Sequence, residues 1–360
     1  MALTISATDT ELPTPVNNMF VQTFLRNAKV RCPYFMGTMP GELTRNGGTA
    51  TVKWRRIENL AAATTALTEL QSTAAYMQGR NAAALSVSDV TATVSKYGNF
   101  VILNEEVEIF NPAGQMGKVM EVIGINAGQS LNQLQRDIAE DNLTMVYAGG
   151  AASDGATESA ITLGSIKSVI NTLTKNSART FNPMTTGSTN IGTVPILPSF
   201  WGITHPDVAV DIAGLAGFTS VEKYAGQVAT AMGEFGTIGV AGHAVRFLLS
   251  EDANVDADAG AGLTSQGLNG TSDVDLYTTV IYGQDCIGSV GFGERYTDGS
   301  FMAGDDLGPV DIIVKGLGSG GTSDPYNEIS TVAWKAFHKG AVLNANWGRA
   351  IRSGATAITT

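Results

Sequence analysis

Two stretches in which hydrophobic and polar residues alternate flank a long segment without a pattern. Residues 49–57 alternate at period two, and residues 90–94 and 97–102 resume the alternation, which predicts half-exposed β-strands. The segment between them, residues 58–88, is rich in alanine, threonine and serine and has neither alternation nor a helical stripe. So long a loop without structure is uncommon inside a compact domain, and we therefore predict a projecting β-hairpin.

A long amphipathic helix is predicted after the hairpin. Asn111-Pro112 is a helix-start signal, because asparagine caps the first turn and proline lacks an N–H that would be unpaired there. Gly124 and Gly128 lie beside the apolar stripe, so we expect another element to approach the helix backbone closely. The stripe predicts roughly thirty helical residues ending before Gly149, and its members are Met116, Met120, Ile123, Ala127, Leu131, Leu134 and Ile138.

The rest of the chain is predicted to mix helices and strands. The first fifty residues hold four prolines and one apolar stretch around Phe20, which indicates an extended arm with one short helix. A glycine-rich turn is expected at residues 316–321. The other apolar runs lie at residues 166–173 (a helix), 199–204 (a buried strand), 208–215, 245–249, 277–282, and 310–314, 330–337 and 340–346 (three strands).

Composition indicates a folded chain. Glycine accounts for 42 of 360 residues and charged residues for only 15%, but 43% are hydrophobic, so disorder of the bulk is excluded. The first residues lack the basic and apolar regions of a signal peptide, and no apolar run is long enough to span a bilayer. Cys32 and Cys286 are too few for a disulfide framework or a structural zinc site. We expect synthesis in the cytoplasm.

Charge is distributed unevenly. Residues 1–60 contain seven basic and four acidic residues, a net charge of +3, and residues 333–360 contain four basic residues and no acid, a net charge of +4. The total of −11 leaves −18 for the middle. Such ends suit contact with nucleic acid or with acidic faces of neighbouring copies, and ordinary solvated surface charge is the other interpretation. The overall acidity disfavours a protein that reads DNA sequence.

The sequence contains no recognisable catalytic constellation. His205, His243 and His338 lack metal-ligand spacing, and neither cysteine lies in a nucleophile motif. We therefore assign no catalytic, cofactor-binding or metal-binding residue and expect neither enzyme activity nor a cofactor.

Two short motifs match functional ones but fit structural roles better. Residues 316–321 have the Gly-x-Gly-x-x-Gly spacing of a dinucleotide-binding turn, yet Asp324-Pro325 blocks the helix that should follow, which favours a tight turn. His205-Pro206-Asp207 matches the tripeptide of J-domain cochaperones. It follows a predicted strand, however, and is better explained as the amino terminus of a helix, with proline in the first turn.

An acidic segment at residues 251–258 resembles a calcium-binding loop in its alternation. Ala257 stands where such a loop requires glycine, and Leu263 where it requires glutamate. We therefore favour a solvated acidic loop, whose polar positions are Asp252, Asn254, Asp256 and Asp258.

Five segments carry a resemblance to a known family. They lie, in order, at residues 51–69, 93–101, 203–207, 233–236 and 315–335, and the last is the most specific. Together they are similar to segments of the major capsid proteins of N4-like podoviruses, and they occur in that family's order. That family in turn resembles the Hong Kong 97 type of shell protein.

The resemblance implies an α+β chain with the Hong Kong 97-like viral capsid fold. It assigns an N-terminal arm to residues 1–50 and an extended hairpin loop with flanking strands to residues 51–100. A peripheral domain with a long spine helix would comprise residues 101–150 and 311–360, and an axial α/β domain residues 151–310. The predicted helices and strands fall into these roles without rearrangement.

The resemblance also implies a structural function. The chain is expected to be a major capsid protein that forms hexamers and pentamers of an icosahedral head around the double-stranded DNA of a tailed bacteriophage. Assembly would take place in the host cytoplasm, with portal, scaffolding or decoration proteins as further partners, non-specific contact with packaged DNA and no membrane. The alternative is a secreted or surface adhesion or polysaccharide-binding protein, which the acidity and the Gly/Thr/Ser-rich β segments also suit. An enzyme comes third.

Overall fold

The structure is a computed structural model of most of the chain, and the residues that it describes include one long helix, two shorter helices, two large sheets and a two-stranded ribbon. The helices are α1 (Gln115–Asn142), α2 (Leu163–Lys175) and α3 (Pro206–Ala213). The described residues are 32–43, 49–57, 60–64, 85–106, 115–187, 194–224, 233–263, 267–292, 310–317, 324–326 and 328–358.

The strands include those predicted at residues 49–57, 90–94, 97–102, 199–204 and 310–314, but several others were not predicted, among them one at residues 144–147, where the long helix was expected to continue. The strands are β1 (Met39–Leu43), β2 (Thr51–Ile57), β3 (Val87–Thr93), β4 (Ser95–Asn104), β5 (Thr144–Tyr147), β6 (Ser199–Thr204), β7 (Phe218–Ser220), β8 (Glu234–Val240), β9 (His243–Leu249), β10 (Val255–Asp256), β11 (Leu276–Tyr282), β12 (Ile287–Phe292), β13 (Val310–Lys315), β14 (Ile329–Val342) and β15 (Gly348–Ser353).

Strand β14, which is 14 residues long, organises the five-stranded sheet. It pairs antiparallel with β4 along residues 329–338, with β13 along residues 331–336 and with β12 along residues 339–342. Strand β1 pairs parallel with β12. The antiparallel ribbon β2–β3 is the base of the predicted hairpin, so this prediction is confirmed as far as the described residues extend.

Helix α1 packs on one face of this sheet. Trp334 of β14 donates a hydrogen bond from its indole nitrogen to Asn126 Oδ1 on the helix, at 3.1 Å. The shared core confirms the first half of the predicted stripe, and it contains Met120, Ile123, Ala127 and Leu131 with Val314, Val332, Trp334 and Ala336.

The second half of α1 differs from the predicted stripe. Leu134 and Ile138 are only half-buried, whereas Asn132 and Gln135 are fully buried and Glu140 is nearly so. The predicted stripe corresponds to a helix that contacts a single core along one side. This half also contacts the N-terminal segment and the eight-stranded sheet, so polar side chains are enclosed as well. Its contacts there form a core of Tyr34, Ala139 and Leu143 with Trp201, Ile203, Leu248, Val280, Tyr282, Cys286 and Ile287.

The eight-stranded sheet has the order β5-β15-β11-β6-β9-β8-β7, with β10 paired to β11. Every residue of β6 and β11 is buried, as expected for strands covered on both faces. Phe200 contacts α2 and α3 on one face, while Trp201 faces the core next to α1. The predicted helix at residues 166–173 and strand at 199–204 are confirmed as α2 and β6.

Strands β8 and β9 form a tight hairpin. Ala241 and Gly242 connect them with φ angles of 49° and 88°. Two positive φ angles match the twist of the flanking strands, and glycine adopts one of them without strain. Strand β8 has no counterpart among the predicted elements.

The end of the predicted arm docks on α1. Tyr34 and Phe35, in a short 3-10 turn, are each 2% exposed. The Cys32 thiol donates to the carbonyl oxygen of Gly128 at 3.2 Å, and the Tyr34 amide donates to Asn132 Oδ1 at 3.1 Å. The close approach expected at Gly128 is therefore confirmed. The short helix expected around residue 20 and the helix start at 111–112 lie outside the described residues.

The two predicted strands at residues 330–337 and 340–346 are wrong as separate elements, because β14 runs through residue 342. Gly340 suggested a break, but it serves close packing: a Cβ there would collide with the Gln135 side chain of α1. Strand β15 was not predicted.

Membership of the two sheets crosses the predicted domain boundaries. Strands β5 and β15 lie within residues 101–150 and 311–360 yet belong to the eight-stranded sheet. Strand β12 lies within residues 151–310 yet pairs with β14. The boundaries at 150 and 310 therefore do not separate the sheets, and the division into domains stays a prediction.

Candidate assembly surfaces

The base of the β2–β3 ribbon is anchored on the five-stranded sheet. Val52, Trp54 and Ala92 are at most 7% exposed and pack against Val290 of β12 and Leu343. Arg56 adds a hydrogen bond from Nη1 to the Leu343 carbonyl oxygen at 3.1 Å. One face of the ribbon is therefore fixed to the sheet along Val52, Trp54 and Arg56.

The other end of the ribbon exposes apolar side chains. Ile57 and Val87 are directly paired across the strands and are 60% and 46% exposed. Leu60 and Leu85 beyond them are 56% and 59% exposed. We call these four residues the ribbon tip. Single exposed hydrophobic residues are ordinary, but four of them near one end of a ribbon are typical of a contact site.

A second uncovered apolar surface lies on the five-stranded sheet, opposite α1. Phe100, Ala333 and Ile313 are in register on β4, β14 and β13, so their side chains share the face that α1 does not cover. Phe100 and Ile102 are 61% and 56% exposed, although both are large and apolar. With Ile329, these residues make up what we call the outer sheet face.

Lysines border the outer sheet face. Lys96 pairs with Phe337 in the β4–β14 register, and Lys315 of β13 ends the row that contains Ile102. An apolar centre with a charged border is the usual anatomy of a protein interface. The positive border fits the acidic character of the chain as a whole.

The three histidines have separate structural roles. His205 caps α3 by accepting the Asp207 amide at 3.2 Å, which confirms the interpretation of residues 205–207 as a helix start. The His243 ring stacks on Phe200 with 5.8 Å between centroids. His338 is 4% exposed, and burial lowers its pKa to about 4. None of these contacts brings two histidines together.

The acidic segment is partly exposed, as expected of a solvated loop, but it also bonds to distant segments, which was not expected. Asp252 accepts a hydrogen bond from Asn132 of α1 at 2.9 Å, and Asp256 forms an ion pair with Arg352 of β15. Asp258 Oδ1 accepts the backbone amides of residues 271–273 at 2.9–3.1 Å, and these bonds lower its pKa. Composition signalled the charges but not their partners in distant segments.

A buried ion pair supports the eight-stranded sheet. Arg246 of β9 donates from Nε and Nη2 to the two oxygens of Glu234 on β8, at 2.7 and 2.6 Å, and both side chains are at most 1% exposed. The Tyr224 hydroxyl donates to the same carboxylate at 2.6 Å, and the guanidinium lies 4.5 Å from the Trp201 ring centre. Sequence analysis missed this pair. The available signal was an arginine inside the apolar run at 245–249.

Neither a metal centre nor a membrane span is evident in the described part of the chain. Those residues contain no group of three or more histidine, cysteine, aspartate or glutamate side chains arranged to hold a metal ion. None of their helices is long and apolar enough to cross a membrane. Of the glycines at 316, 318 and 321, only Gly316 lies within the described ranges.

Comparison with known proteins gives a clear result at the level of fold. No protein-family model matches the sequence, and no curated protein matches it significantly. Among solved structures, the chain is similar to the capsid of Ralstonia phage GP4, with 11% identity over 92% of this chain and 93% of that chain and a TM-score of 0.60. It is also similar to the head structure of Helicobacter pylori bacteriophage KHP40, with 9% identity over 91% of each chain and a TM-score of 0.52.

The chain therefore has the Hong Kong 97-type fold of phage capsid subunits, and the predicted α+β fold class is confirmed. Both similarities extend over more than nine-tenths of each chain, so the fold is matched as a whole and not in one sheet. The relation to N4-like podoviruses in particular stays a prediction.

Proposed function

We propose that this chain is the major capsid protein of a tailed bacteriophage, a structural subunit and not an enzyme. The observation that carries the proposal is the likeness in fold to two phage capsid subunits over almost the whole of each chain. Fold alone does not define function, so the proposal also depends on surfaces suited to self-association.

The ribbon tip and the outer sheet face supply such surfaces. Each surface presents several large apolar side chains to solvent in the single subunit. Burial of these side chains between subunits would therefore contribute favourable free energy to assembly. In a closed shell every subunit repeats the same contacts, so many weak interactions add up. We infer that both surfaces are buried between copies, in hexamers and pentamers.

Further elements of the proposal concern the particle. The shell would enclose double-stranded DNA, form in the cytoplasm of the host bacterium and become part of the virion. Portal, scaffolding or decoration proteins would join it. The alternative of an adhesion or polysaccharide-binding protein has no support from the fold comparison.

Assembly of surface variants tests the proposal. Purified wild-type chain should form hexamers, pentamers or closed shells by light scattering and electron microscopy. Phe100→Ser with Ile102→Ser should raise the protein concentration needed for assembly at least fivefold, since loss of a central apolar anchor typically costs more than about 1 kcal/mol. Its melting temperature should stay close to that of the wild type, because both side chains are exposed.

Thr93→Ser, on the exposed face of the ribbon base, is the matched control and should assemble like the wild type. A wild-type chain that remains a compact monomer at all concentrations and salt conditions would contradict the proposal. Unchanged assembly of the double variant would refute the role of the outer sheet face.

A further inference from the structure

A buried carboxyl group lies where the docked N-terminal segment, α1 and the eight-stranded sheet meet. Glu140 is 7% exposed, and its Oε1 has no hydrogen-bond partner in the described part of the chain. The Tyr34 hydroxyl, on a side chain that is 2% exposed, also lacks one there. Buried polar atoms are nearly always paired, so two unpaired ones at one junction require an explanation.

The nearer arginine does not pair with Glu140. Arg136 lies one turn earlier on α1, but its Nε and Nη2 donate to Asp137 Oδ1 at 2.9 and 2.7 Å. Its Nη1 donates to the carbonyl oxygen of Asp252 at 2.6 Å. Arg136 thus fastens the acidic segment to the helix and leaves Glu140 Oε1 without a hydrogen-bond donor.

The arginine on the sheet side is committed as well. Arg352 of β15 donates to Asp154 Oδ1 at 3.0 Å and to Thr278 Oγ1 at 2.9 Å, and it forms an ion pair with Asp256. Its positive charge faces Glu140 but is already matched by two carboxylates. The junction therefore contains more acid than free hydrogen-bond donors.

These surroundings favour the neutral form of Glu140. Burial raises its pKa to about 7, which Arg136 and Arg352 oppose and Asp137 and Asp256 reinforce. From the N-terminal segment, Tyr34 faces the carboxyl, and burial followed by the Glu140 charge raises the pKa of that phenol. The other groups that face Tyr34 are Arg136, Asp252 and Tyr282, and the last donates its hydroxyl to the Met36 carbonyl oxygen at 2.6 Å.

We propose that Glu140 is a proton-operated lock on the docked segment, residues 32–36. When protonated, it is a neutral side chain that tolerates enclosure by Tyr34 and the sheet. When it loses the proton, an unpaired charge is buried, and undocking of residues 32–36 relieves this by admitting water. The lock is a property of the single subunit and does not depend on the proposed shell function.

The sign of the effect follows from linkage. The closed state keeps its proton up to about pH 7, whereas an open, hydrated carboxyl has the ordinary value of 4.5. Between these values the closed state holds one more proton, so the ratio of open to closed segment rises as pH rises, by up to roughly tenfold per pH unit. Above about pH 7 the ratio levels off.

Hydrogen exchange at residues 32–38 tests the lock in the full-length, unassembled chain. The Tyr34 amide, which donates to Asn132, reports docking directly. Wild-type protection factors should fall severalfold to tenfold per unit between pH 5.5 and 7, while those of E140Q should stay high and flat. E121Q, an exposed acid on the same helix, should keep the wild-type slope.

An equal slope in E140Q, or none in the wild type, would overturn the proposal. Equal loss of protection in β6 would do so too, since it would indicate global unfolding. If E140Q does not fold, infrared spectra of the wild type decide: a buried protonated carboxyl band at pH 6 should vanish by pH 8 together with the protection, and its absence at pH 6 refutes the lock. Because the subunits are unassembled, these results are independent of whether shells form.

Discussion

Trp54 of the ribbon lies directly against Gly288 of β12. A methyl group added to Gly288 would lie 3.1 Å from two atoms of the indole ring, closer than ordinary van der Waals contact. The ring is 7% exposed and is the largest side chain that joins the ribbon to the five-stranded sheet. The ribbon's orientation therefore depends on the absence of a side chain at this glycine.

Gly288→Val should displace Trp54 and loosen the ribbon from the sheet. We expect faster hydrogen exchange in β2 and β3, with little change in β11, because the eight-stranded sheet is not touched. Gly155→Val is the control, since no atom lies within 4 Å of a Cβ added there. Equal effects of the two changes would show that the Trp54 contact does not anchor the ribbon.

Glu234→Gln should lower the free energy of unfolding by about 3–5 kcal/mol, because it leaves the buried Arg246 charge uncompensated. Denaturant titration measures this. Asp89→Asn removes a carboxylate that pairs with Lys53 and Arg55, each at 3.1 Å, on the exposed ribbon face, and it should change the free energy of unfolding far less than Glu234→Gln does. Similar losses in the two variants would mean that burial of the Arg246 pair does not determine its energy.

Neighbouring positions on α1 should respond very differently to truncation. Ile123 is 3% exposed in the core with β14, and Ile123→Ala should cost about 2–5 kcal/mol. Val122 is 63% exposed, and Val122→Ala should change stability by no more than about 0.5 kcal/mol. Thermal unfolding of the two variants measures these losses of stability. A larger loss in Val122→Ala than in Ile123→Ala would mean that the opposite face of α1 is buried.

Assembly should weaken with salt if the lysine border of the outer sheet face meets acidic surface on a neighbouring copy. Raising ionic strength screens exposed charges, so the threshold concentration should increase severalfold. Lys96→Gln should reduce that salt dependence, whereas Lys167→Gln on α2 should not. A threshold that falls with salt would indicate association through apolar contacts alone.

Hydrophobic periodicity correctly predicted which residues are buried where a helix faces a single core. The apolar residues between 120 and 131 recur at helical spacing and face one sheet, and their burial was predicted correctly from the stripe. It failed at Asn132 and Gln135, which are buried because that part of α1 contacts two sheets and the N-terminal segment. Periodicity reports the side of a helix that is apolar, but it contains no information on how many neighbours surround it.

Hydrogen bonds between residues distant in sequence could not be predicted either, because local patterns contain no information on which elements become neighbours. Asp252 meets Asn132 across 120 positions, and Arg352 meets Asp154 across 198. The apolar surfaces were also only partly predictable. The hairpin was expected to project, but the exposure of Phe100 and Ile102 depends on which face of the sheet α1 covers.

Strand β14 has a mechanical consequence for the molecule. Its hydrogen bonds to β4, β13 and β12 run perpendicular to the strand, so tension along β14 loads all of them in shear, and they must yield together. The ribbon β2–β3 behaves differently, because pulling its two strands apart breaks one pair at a time, starting at Ile57 and Val87. Strand β14 and its sheet should therefore resist force, whereas the ribbon β2–β3 should yield more easily. An external force on the subunit would deform the ribbon first.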